Sequence, residues 1–347
     1  MVNEFVNRYI ANPAHLMNVT IEITSQCNLK CCHCYIEDRI SCQTVTYLDV
    51  RTIEKVINEA YKLKAITITL TGGEPLMHPE FALILKLIKE RGFLTFLKTN
   101  GTLINTRNIQ YIKKYVDSVI LSRYGFSPET YETVTGVKKS YNMYCNSLSL
   151  LKEYQIPYKE NAILLRENES EIEQFLSSNL KIEQYISAHK DNPYAGEHRP
   201  SDDALFQYYS HLFQNSADLS NKGFDEKSHD ARVCNCGMCS LTITSHGDVI
   251  PCTNFNYTLG NIREQSLDEI WNSKTKVEIM EKCQIGQFTK CIKCDKKTYL
   301  LAMAPCNNYA ETGSINDVSE EMCRHCHIVE EVTDELKSRY MRYSDSD

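Results

Sequence analysis

The sequence predicts an α/β fold: a partial (β/α)6 TIM-like barrel, open rather than closed, followed by a small cysteine-rich domain. Three observations predict it. Short β-branched runs alternate with amphipathic stretches through the first half, the alternation stops near residue 190, and the 16 cysteines are bunched rather than spread. Asn18 to Ile23 (NVTIEI), Ala65 to Thr71, Phe93 to Lys98, Ser118 to Leu121, Lys159 to Leu165 and Lys181 to Ser187 read as strands. Tyr47 to Lys64 carries Val50, Ile53, Val56, Ile57 and Tyr61 at helical spacing, and His78 to Arg91 ends at Gly92. Six strand–helix units in series require a parallel sheet with right-handed crossovers, too few for eight strands but enough for an open barrel.

Past residue 190 the character changes. Asp191 to Gly196 is turn-rich, Ser201 to Asn215 reads as a helix, and a polar stretch from Asn221 to Asp230 follows. The expected division is therefore 1–190 for the barrel, 191–230 for a bridging segment, 231–335 for the cysteine-rich domain and 336–347 for a frayed tail. The 347 residues carry a net charge of -7, which argues against nucleic-acid and anionic-membrane partners. No apolar run reaches the 18 residues of a membrane span, and the N-terminus lacks the basic and apolar regions of an export signal. A cytoplasmic location is the expectation.

In a reducing cytosol, bunched cysteines point to metal or iron–sulfur ligation rather than to disulfides. Five lie between Cys27 and Cys42, Cys145 stands alone, and ten lie between residue 234 and the end. Cys27, Cys31 and Cys34 have CX3CX2C spacing in the loop after the first strand, the end at which α/β sheets place their chemistry. Three thiolates on one loop can hold three irons of a [4Fe–4S] cube and leave the fourth open, whereas a structural zinc site is closed by four ligands. Cys32 breaks the spacing and is expected to face away.

These residues resemble the radical S-adenosylmethionine (SAM) superfamily, in which SAM chelates the open iron and an aromatic residue follows the third cysteine; Tyr35 matches it. Gly72-Gly73-Glu74-Pro75, at the end of the second strand, matches the second signature. Glycines let backbone approach a ligand closely, and a carboxylate accepts from the methionyl ammonium. The resemblance, spanning about Asn18 to Ser187, further implies SAM contacts from Asn100 in Thr99-Asn100-Gly101-Thr102, from Ser122 and from Asn161. The Leu-Asp-Gly that many relatives carry after that serine is absent, since Arg123-Tyr124-Gly125 stands there. Pro128 to Gly136 reads as a structural helix start.

The later cysteines are similar to the SPASM extension of these enzymes, which binds two auxiliary [4Fe–4S] clusters. The resemblance implies a first site from two of Cys234, Cys236 and Cys239, with Cys252 (closing a Gly-X4-Cys hairpin around Gly247) and Cys306. A second would use Cys291 and Cys294 with Cys323 and Cys326. The usual third cysteine of that site is replaced by Leu300, and two CX2C pairs also suit zinc. Cys42, Cys145 and Cys283 are surplus; Cys283 is a candidate hydrogen-atom donor.

The implied activity is radical modification of a ribosomally synthesised precursor peptide by crosslinking, thioether formation, epimerisation or oxidation. Three [4Fe–4S] clusters, SAM and a flavodoxin- or ferredoxin-type electron donor are the expected cofactors and partner. The alternatives are a dehydrogenase or sulfatase-maturase type acting on one side chain or a small molecule, and a non-catalytic iron–sulfur or zinc protein. With 26 residues before Cys27, leader recognition is expected from the 190–230 segment or a separate protein.

Overall fold

The computed structural model describes residues 15–36, 45–178, 180–183, 195–214, 230–294 and 303–344. They form one nine-stranded sheet in the order β6-β5-β4-β3-β2-β1-β7-β8-β9. β1 (Asn18–Glu22), β2 (Thr67–Thr71), β3 (Leu94–Thr99), β4 (Ser118–Arg123), β5 (Tyr158–Ile163) and β6 (Lys181–Glu183) are all parallel. This is the expected open six-stranded arrangement. The last predicted strand is shorter, and its remainder, 184–187, lies outside the described residues.

Each crossover carries helix. α1 (Val50–Lys62) starts at Asp49, which accepts from Thr52 N at 3.0 Å, and buries Ile53, Val56, Ile57 and Ala60 along one face. α2 (Phe81–Glu90) and α3 (Ile109–Tyr115) follow β2 and β3. α4 (Pro128–Thr135) is capped by Ser127, begins with proline and stops at Gly136, whose φ of 65° is the left-handed geometry that ends helices. α5 (Ser140–Glu153) completes that crossover.

Register divides the sheet into two chemically distinct faces. Val19, Ile21, Ile68, Leu70, Leu97, Val119 and Leu121 share one face and are fully buried. The other carries Thr20, Glu22, Thr69, Thr71, Lys98, Ser122, Asn161 and Glu183, with Leu94, Phe96, Ile120 and Ile163 among them. A packed barrel interior would have branched apolar residues at these positions. Toward the carboxyl ends of the strands this face is instead mostly polar, with Glu22, Thr71, Lys98, Ser122, Asn161 and Glu183.

The cysteine-rich half does not fold as one piece. The chain packs as two units, the first taking residues through Ile163, Leu180–Glu183 and Asn235–Glu278, the second Leu164–Asn179, Gln184–Cys234 and Ile279–Asp347. β7 (Ser240–Ile243) pairs parallel with β1, and β8 (Asp248–Ile250) and β9 (Gly260–Asn261) follow antiparallel. The hairpin around Gly247 (φ 92°) therefore extends the barrel sheet, because β1 has an open edge whose Asn18 to Ile21 register matches Ser240 to Ile243. α8 (Leu267–Trp271), with a Ser266–Glu269 capping box, also belongs to the first unit.

The second unit is helical. α6 (Ile172–Ser177), α7 (Asp202–Gln214), α10 (Thr289–Ile292), α11 (Pro305–Thr312) and α12 (Glu320–Ser344) lie within it, and α9 (Lys274–Lys282) enters it from Ile279. α7, assigned from sequence to a bridge, packs along α12. The expected frayed tail is helical to Ser344, as α12 continues through buried Val329, Val332 and Thr333. No described helix is long and apolar enough to cross a membrane.

Candidate active site

The CX3CX2C loop is fixed from outside itself. Lys30 N donates to Thr135 O at 2.9 Å and Cys32 N to Val134 O at 3.0 Å, so the end of α4 holds both sides of Cys31. A Cβ on Gly136 would lie 2.9 Å from Lys30 O, which keeps that helix end close to the loop. Cys34 N donates to Cys31 O at 3.2 Å, closing a turn, and Leu29 is buried. The Pro128 to Gly136 segment thus positions the loop, a role its sequence does not announce. Cys27 Sγ accepts from Leu29 N at 3.4 Å and Asn100 Nδ2 at 3.7 Å, donors suited to an anionic sulfur.

Gly72 and Gly73 lie against the strand extension that leads into this loop. Gly73 N donates to Thr24 O and Glu74 N to Gln26 O, both at 2.7 Å. Gly72 has φ 145°, and a Cβ there would meet Thr24 O at 2.4 Å. Glu74, expected to meet a ligand ammonium, has no exposed surface. Its carboxylate accepts from Thr99 Oγ1 at 2.7 Å, Asn100 N at 3.0 Å and Leu76 N at 3.2 Å, tying β2 to the end of β3. Burial pushes its pKa up to about 7 against those three hydrogen bonds.

A raised carboxyl pKa means the folded state favours the neutral form. Its stability is fullest below the ordinary pKa of 4.5 and falls as pH rises toward about 7. Glu74→Gln removes this titration, so the stability advantage of the parent over the variant is expected to shrink by about 3 kcal/mol between pH 4 and 8. Denaturant unfolding at several pH values measures it; a pH-independent difference contradicts the assignment.

Asn100 also turns inward. Its Oδ1 accepts from Thr102 N at 2.9 Å and Thr102 Oγ1 at 2.6 Å, and its Nδ2 donates to Asn28 Oδ1 at 3.1 Å as well as to Cys27. Its side chain is engaged with the cysteine loop. Tyr35 bonds Glu22 and Thr71; its pKa rises through burial and then through the charge of Glu22. Ser122 and Asn161 are paired in register on the polar face, where Asn161 Nδ2 donates to Glu183 Oε1 at 3.1 Å.

Sequence reading missed Glu22, Lys98, Glu183 and Asn28. Burial tends to raise the Glu183 pKa, but the charges of Lys98 and Lys181 and hydrogen bonds from Lys181 and Asn161 hold it below the usual carboxylate range. The signal was available: charged residues sit at alternate positions near the ends of predicted strands, where a packed interior would want Val or Leu.

Among the later cysteines, Cys236, Cys239 and Cys252 belong to the first unit and Cys234 and Cys306 to the second. Cys239 O accepts from Met17 N at 2.7 Å and Asn18 N at 3.1 Å, at the start of β1. Within the second unit, Cys291, Cys294, Cys323 and Cys326 come together. Burial and then the charges of Cys323 and Cys294 push the Cys291 thiol up to about 11, and burial with Cys291, Cys323 and Cys294 pushes Cys326 further. Four thiolates that repel one another fit a cationic centre, since metal ligation supplies the missing positive charge.

The Cys323–Cys326 turn is braced by its own helix and α7. Burial tends to raise the Glu321 pKa, but hydrogen bonds from His325 and Arg324 hold it at about 2. That carboxylate accepts from His325 Nε2 at 3.0 Å and Arg324 at 2.8–2.9 Å, and Tyr209 OH meets His325 Nδ1 at 3.0 Å. Cys283, the expected hydrogen donor, is 1% exposed, and its carbonyl accepts from Val233 N. Such burial is what a small apolar packing residue shows. Cys42 and Leu300 lie outside the described residues.

Residues 21–178 match the radical SAM superfamily, and residues 234–295 match SPASM, an iron–sulfur cluster-binding domain. The chain carries a radical SAM domain followed by a SPASM domain, and these domains imply [4Fe–4S] clusters and SAM. It is 26% identical over 291 residues to the antilisterial bacteriocin subtilosin biosynthesis protein AlbA of Bacillus subtilis (strain 168), covering 80% of this chain and 64% of that protein. It is 24% identical over 319 residues to the AdoMet-dependent heme synthase of Methanosarcina barkeri, covering 80% of this chain and 90% of that protein. Among solved structures, native anSMEcpe with bound AdoMet and Cp18Cys peptide shares the fold, with TM-score 0.70, 17% identity and 95% of this chain covered by 99% of that one.

Proposed function

We propose that this protein is a radical SAM enzyme that modifies a ribosomally synthesised precursor peptide. The observation that carries the reading is the polar sheet face, with Glu22, Lys98, Ser122, Asn161 and Glu183 on the unit that holds the CX3CX2C loop. Likeness to AlbA, a bacteriocin biosynthesis protein, supports a peptide substrate. Cys27, Cys31 and Cys34 would hold a [4Fe–4S] cluster, which together with SAM would supply radical hydrogen-atom abstraction from an unactivated C–H bond.

The chain's own residues bind and orient. Gly72 and Gly73 keep the backbone thin beside the loop, and Glu74 fixes the end of β3. Glu22 holds the Tyr35 phenol, and so its ring, next to Cys34. Ser122 and Asn161 offer polar contacts to SAM, and Glu183, which accepts from Asn161 and Lys181, adds a carboxylate to the same face. Cys236, Cys239 and Cys252, all in the first unit, would serve as ligands of one auxiliary cluster. Cys291, Cys294, Cys323 and Cys326 would hold the other. A flavodoxin- or ferredoxin-type donor supplies electrons in the cytoplasm.

A second reading has a specific observation behind it. The AdoMet-dependent heme synthase is matched over 90% of its length, which supports a small-molecule substrate on the same polar face. Anaerobically reconstituted enzyme, given SAM, dithionite and a peptide encoded beside its gene, is expected to form 5′-deoxyadenosine and change the peptide's mass. SAM cleavage with no mass change in any neighbouring peptide contradicts the peptide reading. The same preparation is expected to hold about 12 irons per chain and no zinc, whereas about 8 irons with one zinc would assign the two CX2C pairs to zinc.

A further inference from the structure

We infer that Asn100 tunes the reduction potential of the cluster at Cys27, Cys31 and Cys34, with Asn28 and Thr102 holding its amide in the donating orientation. The inference rests on the reading of those cysteines as cluster ligands. Amide orientation here is dictated by chemistry. Thr102 N can only donate, so the Asn100 atom 2.9 Å from it is the oxygen, and the nitrogen necessarily faces Asn28 and Cys27. Thr102 Oγ1 spends its proton on Asn100 Oδ1, so it accepts from Asn28 Nδ2 at 2.8 Å, which turns Asn28 Oδ1 toward Asn100 Nδ2 at 3.1 Å.

The three side chains therefore close a ring in which each bond fixes the next. Asn100 Nδ2 has two hydrogens: one goes to Asn28, the other to Cys27 Sγ at 3.7 Å. Reversing the amide would set its N–H groups against the Thr102 backbone N–H inside a site where Asn100 and Thr102 are both buried, a loss that buried polar groups resist. The backbone enforces the same placement, because Asn100 N donates to Glu74 Oε2.

A hydrogen bond to a ligating sulfur stabilises the reduced, more electron-rich cluster and raises its potential. Removing it shifts the one-electron couple, in which the cluster gains a single electron from the mediator pool, toward the oxidised form. Asn100→Leu is expected to shift that equilibrium about tenfold, a fall of about 59 mV in midpoint potential for a one-electron couple. Thr102→Val keeps the amide but opens the ring, and is expected to produce a smaller fall. The Leu29 N–H to Cys27 is retained in both.

The test is a dithionite titration of reconstituted full-length enzyme followed by electron paramagnetic resonance, reading only the signal that changes when SAM is added. A parent enzyme without such a signal overturns the cysteine assignment itself. Given that signal, an unchanged midpoint in Asn100→Leu overturns the inference while leaving the assignment standing. Should Asn100→Leu fail to retain iron, Thr102→Val decides: a lower midpoint supports the proposal, and an equal or higher one overturns it.

Discussion

Cys31→Ala is expected to abolish 5′-deoxyadenosine formation, by at least a hundredfold, or roughly 2.7 kcal/mol of barrier. The flanking backbone explains why this is a clean loss of a ligand. Lys30 N and Cys32 N are both bonded to the end of α4, so the loop keeps its path when the sulfur is removed. Total iron is expected to fall by about four per chain, the content of one cube, with the auxiliary clusters retained. Cys32→Ala, at a position outside the CX3CX2C spacing, is expected to keep full iron content. A Cys31→Ala enzyme that still splits SAM contradicts the assignment of this loop, whatever its iron content.

Legibility of the fold in the sequence followed the range of the interactions concerned. β1 to β6 were readable because alternating β-branched runs and helical spacing are local patterns, and Asn18 to Glu22 announces itself within five residues. The pairing of β1 with β7 was not readable, since Asn18 and Ser240 are joined across more than half the chain. The cysteine run therefore looked like one domain although the chain divides it between two units. α12 was missed because its polar residues hide the buried stripe of Met322, Cys326, Val329 and Val332.

The candidate site shows the same split. CX3CX2C and Gly72-Gly73-Glu74-Pro75 were visible because each is a short run with a chemical purpose. The partners of those runs were not. Asn28, Thr102 and Asn100 form a ring that no spacing predicts, and that ring makes Asn100 a neighbour of Cys27. Glu74 was found by motif, yet its three donors come from Leu76, Thr99 and Asn100, two of them on the next strand and loop. Sequence identified which residues matter before it could say what they touch.

Gly73→Ala is expected to damage the site by a different route, contact rather than chemistry. A Cβ at this position would lie 2.3 Å from Gln26 O, 2.5 Å from Ser25 O and 2.7 Å from Gln26 C. All three are backbone atoms, so no side chain can swing aside, and Gln26 immediately precedes Cys27. Relief requires breaking the Gly73 N to Thr24 O and Glu74 N to Gln26 O bonds, which moves the first cysteine and the Glu74 brace together. The expected destabilisation is about 3 kcal/mol, with cluster loading reduced in parallel. Gly92 provides the comparison: its φ is 91°, but a Cβ there meets nothing within 4 Å. Gly92→Ala therefore carries only backbone strain, about 1–2 kcal/mol, and is expected to leave iron content and SAM cleavage unchanged. Thermal unfolding and iron analysis of both variants separate the two effects. Equal iron loss in both would mean that general instability, rather than closeness to the Ser25–Cys27 backbone, makes glycine necessary at position 73.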